Sequence, residues 1–428
     1  MRRPSAPFLV FSALAIGVTA SALAQARFSW QQRKGDTLSA LVVKSPWSDY
    51  LQAKITEFET MTGIKVTLSV LPEQQSRQKL AIDFASGGAT TDVFDTSLHV
   101  EKARFSKAGW YEDLTPYLAN KTLSDPRFRY SDFFASAKEV VKAKNGTIVA
   151  MPYKVDAQIL FYRKDLFEAK GLKVPTTLPE FDAVARALHD PPRVYGYAAR
   201  GLKNANVFTI AFPMQYFKGQ FVDASGKAAL NTPNAVKALT WYANALKTYA
   251  PPGVVSFNWP EVLGQFQQGN LAMFNDGIGF ATQLEDPTRS KVVGKVGYAV
   301  LPGRLAPTTA NGLAISPRAK SKEAAYLFLQ WATSVAFNKG LVEANITAPR
   351  ASAWNTAANQ PLKTIPWAQT YFDALKVGKP AFPEISAVTE LRDVYGIAIV
   401  QALGGSDPAT VSQGANEQLQ QILDTTEK

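Results

Sequence analysis

The 428-residue chain contains no cysteine, which excludes disulfides, thiolate zinc sites, iron–sulfur clusters, a cysteine nucleophile and a lipid-anchored N-terminal cysteine. Only two histidines are present, His99 and His189, so histidine-based metal or triad chemistry has few parts to draw on. After the first residues no segment has 18 uninterrupted apolar residues, and a bilayer span takes ~20. Blocks of like charge, internal repeats and low-complexity tracts are missing too. So are the sequences G-x-S-x-G, H-E-x-x-H and G-x-x-x-x-G-K-[ST], which removes the common signatures of serine hydrolases, zinc peptidases and nucleotide-binding loops.

What is present is ordinary for a globular protein: 46% hydrophobic, 19% charged and 11% aromatic residues. The length suggests two or three domains at ~150 residues each, with cores that need no metal or disulfide staple. The N-terminus has the form of a secretory signal peptide. Arg2 and Arg3 precede a short apolar run from Phe8 to Val18, and Ala22-Leu23-Ala24-Gln25-Ala26 supplies the A-x-A exit. Cleavage after Ala24 or Ala26 is expected, with residues 1–26 removed and the remainder exported. The formal charge is +11, and loss of Arg2 and Arg3 leaves +9. Because the basic residues are scattered and the chain is exported, a solvated basic surface is expected rather than a nucleic-acid partner.

The mature chain alternates strand-like and helix-like patterns. Leu38 to Val43 reads as a strand, and Ser48 to Thr62 as a helix that stops at Gly63. Ile64 to Val70 alternates at period two, Gln75 to Ala85 is helical, Asp92 to Thr96 is a strand and Val100 to Ala108 a helix. This is the order of a parallel α/β sheet. It breaks around Gly146 to Asp156 and restarts with a strand at Ile159 to Arg163. Thr177-x-x-Glu180 opens a helix to Leu188, and Thr232-Pro233 opens another. Strands are predicted at Tyr195–Ala199, Leu271–Asn275, Val296–Val300 and Gly312–Ser316. A helix follows from Ser321 to Ser334, and the end from Pro366 is mostly helical. With no linker rich in proline or glycine, two halves are expected to pack face to face across short crossovers.

Five segments carry a family likeness: Phe58–Val66, Tyr162–Thr177 with Glu180, Gly269–Gly277, Asn311–Trp331 and Ala348–Arg350. In this order and spacing they resemble the extracellular solute-binding proteins of family one, the periplasmic sugar receptors of ABC importers of the maltose-binding type. The resemblance implies an α/β, two-lobed periplasmic-binding-protein fold (type II, maltose-binding-like) with a central cleft. It places residues 27–155 plus 311–346 in the first lobe and 156–310 plus 347–428 in the second. Crossovers are expected at Pro152–Asp156 and near Leu305–Ala310. It also implies a periplasmic monomer that binds a carbohydrate or polyol, hands it to a membrane permease, uses no cofactor or metal, and performs no catalysis.

Sugar hydroxyls call for planar donors and acceptors, and the C–H faces of a ring call for aromatic plates. On that chemistry and on the family positions the candidates are Trp47, Asp49, Ser97, His99, Tyr153, Asp156, Arg200, Trp259, Asn275, Asp276, Asn311, Gly312, Arg350 and Trp354. Each has a structural alternative. Trp47 could be core, Asp49 a helix cap and Asp156 a hinge ion pair. Trp241 and Trp331 lie within predicted helices and are read as core. Three further readings stay open: an anionic sugar bound by Arg350, Arg200 and Lys154, a polyamine held by Asp49, Asp156 and Asp276, and a glycoside-processing enzyme using Asp156 and Asp276.

Overall fold

Strand and helix alternate through the first lobe of the computed structural model, which describes residues 27–87, 90–354 and 360–427. The predicted signal segment 1–26 lies outside the described residues. Strand β1 (Thr37–Val43) leads into helix α1 (Pro46–Thr62), then β2 (Lys65–Leu71), α2 (Glu73–Ala85), β3 (Val93–Ser97) and α3 (Leu98–Lys107). Local chemistry sets the boundaries. Ser45 caps α1 by accepting from the Ser48 N–H, Pro46 fills the first turn, and Gly63 closes the helix at φ 72°. β1 pairs in parallel with β2 from Thr37↔Lys65 to Val43↔Leu71, and with β3 on its other side. All three strands therefore end at the same edge of the sheet.

The lobes are joined by two long strands. Strand β4 (Met151–Arg163) is 13 residues long and serves two sheets. Its first half pairs antiparallel with β7 (Pro307–Ile315), through Val155↔Ala310 and Ala157↔Thr308. Its second half pairs with β5 (Met273–Gly277) and β6 (Val296–Ala299) of the second lobe. β7 returns and pairs with β3 from Ser97↔Asn311 to Val93↔Ile315. The expected crossovers at Pro152–Asp156 and Leu305–Ala310 fall on these two strands. A third crossing, β8 (Lys379–Pro380), pairs with Pro307 and Thr308.

The second lobe packs helices on both faces of its short sheet. They include α4 (Leu178–Leu188), α5 (Pro233–Tyr249), α6 (Trp259–Gln267), α10 (Val388–Leu403) and α11 (Pro408–Thr426). In the first lobe α7 (Lys322–Ala332) and α8 (Val335–Glu343) follow β7, and α9 (Ala368–Val377) lies over the crossover. Thr177 caps α4 as predicted, but the Glu180 carboxylate accepts from the N–H and hydroxyl of Thr176 rather than closing back on the cap. Trp331 is buried against Phe58, Phe328 and Phe337, and Trp241 packs on Phe181 and Tyr197 and donates to Asp182. Among the described residues no helix is long and apolar enough to cross a membrane.

Two expectations are corrected. The strand predicted at Tyr195–Ala199 is reduced to two single bridges to β5 and its approach, Tyr195↔Leu271 and Ala198↔Phe274, because the N–H groups between them turn to other partners, Gly196 to His189 Nδ1 and Tyr197 to the Tyr249 carbonyl. The return to the second lobe does not begin at residue 347. Arg350 bridges to Phe133, and Ser352 bonds the Asp132 carboxylate through its N–H and hydroxyl. Thr347 to Trp354 therefore stay packed on first-lobe elements.

Gly312 sits where β7 meets the start of β4. A Cβ there would lie 2.7 Å from the Ala150 Cβ and 3.2 Å from Leu98 Cδ1. Gly312→Ala is expected to lower unfolding stability by ~1–3 kcal/mol through overpacking. Gly264→Ala, in the interior of α6 with no atom within 4 Å of the new Cβ, should be neutral or stabilising by up to ~1 kcal/mol. Denaturant titration of both variants checks the pair.

Candidate functional site

The carboxyl ends of β1 and β3 carry the first-lobe half of the site, the position where open α/β sheets gather ligands. Just past β1, Trp47 is 3% exposed and stacks on Tyr153 of β4, with centroids 4.0 Å apart and planes at 29°. Its indole N–H is buried without a partner among the described residues. The Tyr153 hydroxyl donates to Asp95 Oδ2 at 2.7 Å. Asp95 also accepts from the Val43 N–H at 3.2 Å and from Asn311 Nδ2 at 3.3 Å, and the same amide reaches Ser97 Oγ at 3.4 Å. Trp47, Tyr153, Ser97 and Asn311 are thus gathered around one buried carboxylate.

Burial pushes the Asp95 carboxyl up to about 6, against the hydrogen bonds from Tyr153, Asn311 and Val43. His99 shows the opposite response. Burial lowers its imidazole to about 4, although Nδ1 bonds the Ala310 carbonyl at 3.0 Å. A neutral ring whose Nδ1–H donates to that carbonyl keeps Nε2 as an acceptor.

Beside this cluster stands a charged group that sequence reasoning missed. Glu101 accepts from Thr96 Oγ1 at 2.9 Å and from the Ser97 N–H at 2.8 Å, which fixes the turn from β3 into α3. Arg77 of α2 contacts Glu101 at 3.0 Å and Glu73 at 2.7 Å. Its Nε faces Glu101 and its Nη2 faces Glu73, so the guanidinium bridges the two carboxylates as an ion pair. Burial alone would raise the Glu73 carboxyl, but Arg77, His99, Arg392 and Arg200 together hold it below its ordinary value.

The second lobe contributes a paired cation. Arg200 Nε and Nη2 fork onto the two oxygens of Asp276 at 2.8 and 2.5 Å, and its guanidinium lies 4.9 Å over Phe208. Asp276 is the last residue but one of β5 and is 1% exposed. Trp259, at the start of α6, stacks on Phe280 at 5.1 Å and 19°, and is exposed. On α10, Arg392 lies 5.6 Å over Phe382, and the Phe382 ring stacks on His99 of the first lobe at 6.0 Å and 17°. Lys102 and Glu384 pair across the lobes at 3.1 Å, beside a cavity of about 550 Å³ bounded by α3, the crossover strands and residues 378–388.

Six candidates stand outside this gathering. Asp49 is exposed and pairs with Lys44, while the helix cap is Ser45. Asp156 works at the hinge. It pairs with Lys154 at 3.2 Å, accepts from Gly279 N–H at 3.2 Å, and lies where a Cβ on Gly277 would come within 2.7 Å of it. Asn275 is fully buried and fully used, accepting from the Tyr197 hydroxyl and donating to Gln158 and the Thr209 carbonyl. Gly312 faces Ala150 and Leu98.

Arg350 is completely buried in the first lobe. It donates to the Thr333 and Arg129 carbonyls at 2.6 and 2.9 Å and lies 3.8 Å over Phe133; burial lowers it to about 10. Trp354 is buried among Trp367, Tyr371 and Phe372 and donates to the Ala348 carbonyl. Among the residues missed, Asp95 had a readable signal, a carboxylate at the end of an otherwise buried strand. Glu73 and Arg77 had another, an i,i+4 pair opening a helix after a strand. Arg392 had none.

The titrations give a prediction. Asp95 is ordinarily near 3.8 and is raised to about 6, so the fold is stabilised by its proton below pH ~4 and loses that contribution as pH climbs through 6. His99 is ordinarily near 6.5 and is lowered to about 4, so its contribution is present above pH 6.5 and lost as pH falls through 4. The two slopes oppose each other in one window. Relative to the unmutated chain, Asp95→Asn should gain stability as pH rises from 4 to 7, and His99→Gln should gain as it falls. Urea unfolding at stepped pH measures both signs.

Comparison with known proteins agrees with this architecture. Residues 44–339 match the family model of the bacterial extracellular solute-binding proteins. The chain is 29% identical to the mannitol-binding protein of Pseudomonas aeruginosa over 77% of this chain and 76% of that one. It is 24% identical to the erythritol/L-threitol-binding protein of Mycolicibacterium smegmatis over 90% and 85%. Among solved structures, an ABC transporter solute-binding protein of Agrobacterium radiobacter K84 in complex with ribitol is similar at TM-score 0.82 and 27% identity, covering 91% of this chain and 99% of that one. A second, from Agrobacterium vitis S4 with bound D-mannitol, has TM-score 0.78 and 25% identity over 92% and 100%. With its two α/β lobes, the chain belongs to the bacterial extracellular solute-binding protein family.

Proposed function

We infer that this protein is the periplasmic receptor of an ABC importer, and that it captures a sugar or, preferentially, an acyclic sugar alcohol between its lobes and delivers it to the permease. The observation that carries the reading is the Trp47–Tyr153–Asp95 cluster. There a buried indole N–H without a partner among the described residues belongs to a ring stacked on Tyr153, whose hydroxyl is one of three donors holding the Asp95 carboxylate. A buried polar group left unpaired costs ~1–3 kcal/mol, and a ligand hydroxyl removes that cost. The relatives named mannitol- and erythritol/L-threitol-binding, and the similar structures holding ribitol and D-mannitol, support a polyol.

The side chains proposed to touch ligand are Trp47, Ser97, His99, Asn311 and Arg77 from the first lobe and Arg200, Asp276 and Trp259 from the second. Ligand contacts to both lobes stabilise the closed arrangement over the open one by the difference in affinity. No side chain in the cluster is placed as a nucleophile, and the chemistry it supports is binding without turnover. Export through the N-terminal signal and action as a monomer complete the proposal.

A thermal-shift screen of ribitol, D-mannitol, erythritol, monosaccharides and maltose tests it, because a ligand selective for the native state raises the melting temperature. At least one polyol should do so, and Arg200→Ala should weaken the best ligand by tenfold or more in calorimetry, ~1.4 kcal/mol. Asp49→Asn, on the exposed face of α1, should stay within twofold. A screen with no sugar or polyol hit, together with a hit on a polyamine, would overturn the reading.

A further inference from the structure

Arg200 is the cation that the second lobe brings to the cleft, and two bonds to Asp276 hold its side chain. Its backbone is held as firmly. The Arg200 carbonyl accepts from the buried Tyr242 hydroxyl of α5 at 2.7 Å, and the N–H groups of Gly201 and Leu202 both donate to the Phe257 carbonyl at 2.9 Å. At Gly201 a Cβ would fall 2.0 Å from the Val254 carbonyl oxygen, so the chain leaves Arg200 by a close backbone approach that only glycine permits.

Beyond Gly201 the loop lies on α10. Asn204, in the left-handed region at φ 70°, donates from Nδ2 to Asp393 Oδ1 at 3.1 Å, and its carbonyl accepts from Arg392 Nε at 3.4 Å. A Cβ on Gly396 would lie 2.6 Å from the Asn204 backbone nitrogen and 3.2 Å from Asn206 Oδ1. Asn206 is completely buried, and its amide joins loop to helix. Nδ2 donates to the Gly201 carbonyl at 3.1 Å and to the Gly396 carbonyl at 3.2 Å. Its Oδ1 has no partner among the described residues, so the side chain serves here as a donor alone. One of the two oxygens it serves belongs to the residue that follows Arg200.

We propose that Asn206 and Gly396 are positioning residues for ligand capture: together they seat the 201–206 loop on α10 and thereby set where the Arg200 guanidinium meets the ligand. This rests on the reading above of Arg200 as a ligand contact. Neither residue is itself a ligand contact; each acts through the backbone of the loop. Glycine is required at 396 because the loop backbone rests directly on the helix. Asparagine is required at 206 because two backbone carbonyls are served from one planar amide. A guanidinium presents its donors as a rigid planar fork, and hydrogen bonds weaken steeply as their angles bend. A displaced loop therefore costs affinity even where every contact residue is retained.

The test is a double-mutant cycle in calorimetry, on the mature chain with the polyol that gives the largest thermal shift. Gly396→Ala drives a Cβ against the Asn204 nitrogen, and Asn206→Ala removes the amide. Each should weaken that polyol about tenfold where Arg200 is present and less than twofold in the Arg200→Ala background. Asp393→Ala releases the same loop from α10 at a half-exposed side chain. It should show the same dependence on Arg200 with a loss of about threefold, and it decides the matter if the two buried variants do not fold. Equal weakening in both backgrounds marks general damage to the lobe, and no weakening in either marks a seat without consequence. Both results overturn the proposal and leave polyol capture standing. An Arg200→Ala chain that binds as tightly as the unmutated one overturns the contact on which the proposal rests. Absence of binding by every polyol and sugar overturns the reading of the function itself.

Discussion

The crossing of β4 and β7 is the constraint on which the rest depends. A strand of 13 residues that changes partners halfway must leave one sheet and enter another without breaking its hydrogen bonding. The bulge between Pro152 and Lys154 interrupts the register with β7, and Tyr153 within it stacks on Trp47. Past it, Asp156 ties the strand to the Gly277–Gly279 turn of the second lobe and to Lys154 of its own. Because the sheet edges that end at Trp47, Ser97 and Gly277 are hung from this crossing, the two half-sites face one gap.

The electrostatics of that gap follow from who is paired with whom. Charges inside it occur as partly matched sets: Arg200 with Asp276, and Arg77 with Glu73 and Glu101. Such matching keeps the burial cost of each charge within bounds, while the Trp47 indole N–H is left without a partner among the described residues. A neutral, hydroxyl-rich solute suits a surface of this kind, since it can join existing ion pairs as donor and acceptor at once. Burial acts on the two titratable groups of the first-lobe wall in opposite directions, raising Asp95 and lowering His99.

Much of the fold was legible in the sequence because periodicity and punctuation are local. The Gly63 stop of α1, the Thr177 cap of α4 and the alternation of β2 each follow from residues within a few positions, whereas the start of α1 lies at Ser45–Pro46 rather than at the expected Ser48. The site was legible only in part, because burial is decided at a distance. Asn275 and Asp276 are neighbours at the end of one strand, and alternation sends one into Gln158 and Tyr197 and the other to Arg200. Arg350 carries the family's basic position, yet the carbonyls of Arg129 and Thr333 and two aromatic rings claim it for the first lobe. Nothing near Arg392 in the sequence announces that α10 will carry it over Phe382, whose ring stacks on His99.

The most direct measurement of the central claim is a crystal structure of the mature protein grown with D-mannitol or ribitol. The account predicts density in the gap, with polar contacts from the Trp47, Ser97, His99 and Asn311 wall and from the Arg200–Asp276 pair on the same molecule. Ligand held by one lobe alone, or seated instead in the aromatic groove beside Trp30 and Tyr50, would contradict it.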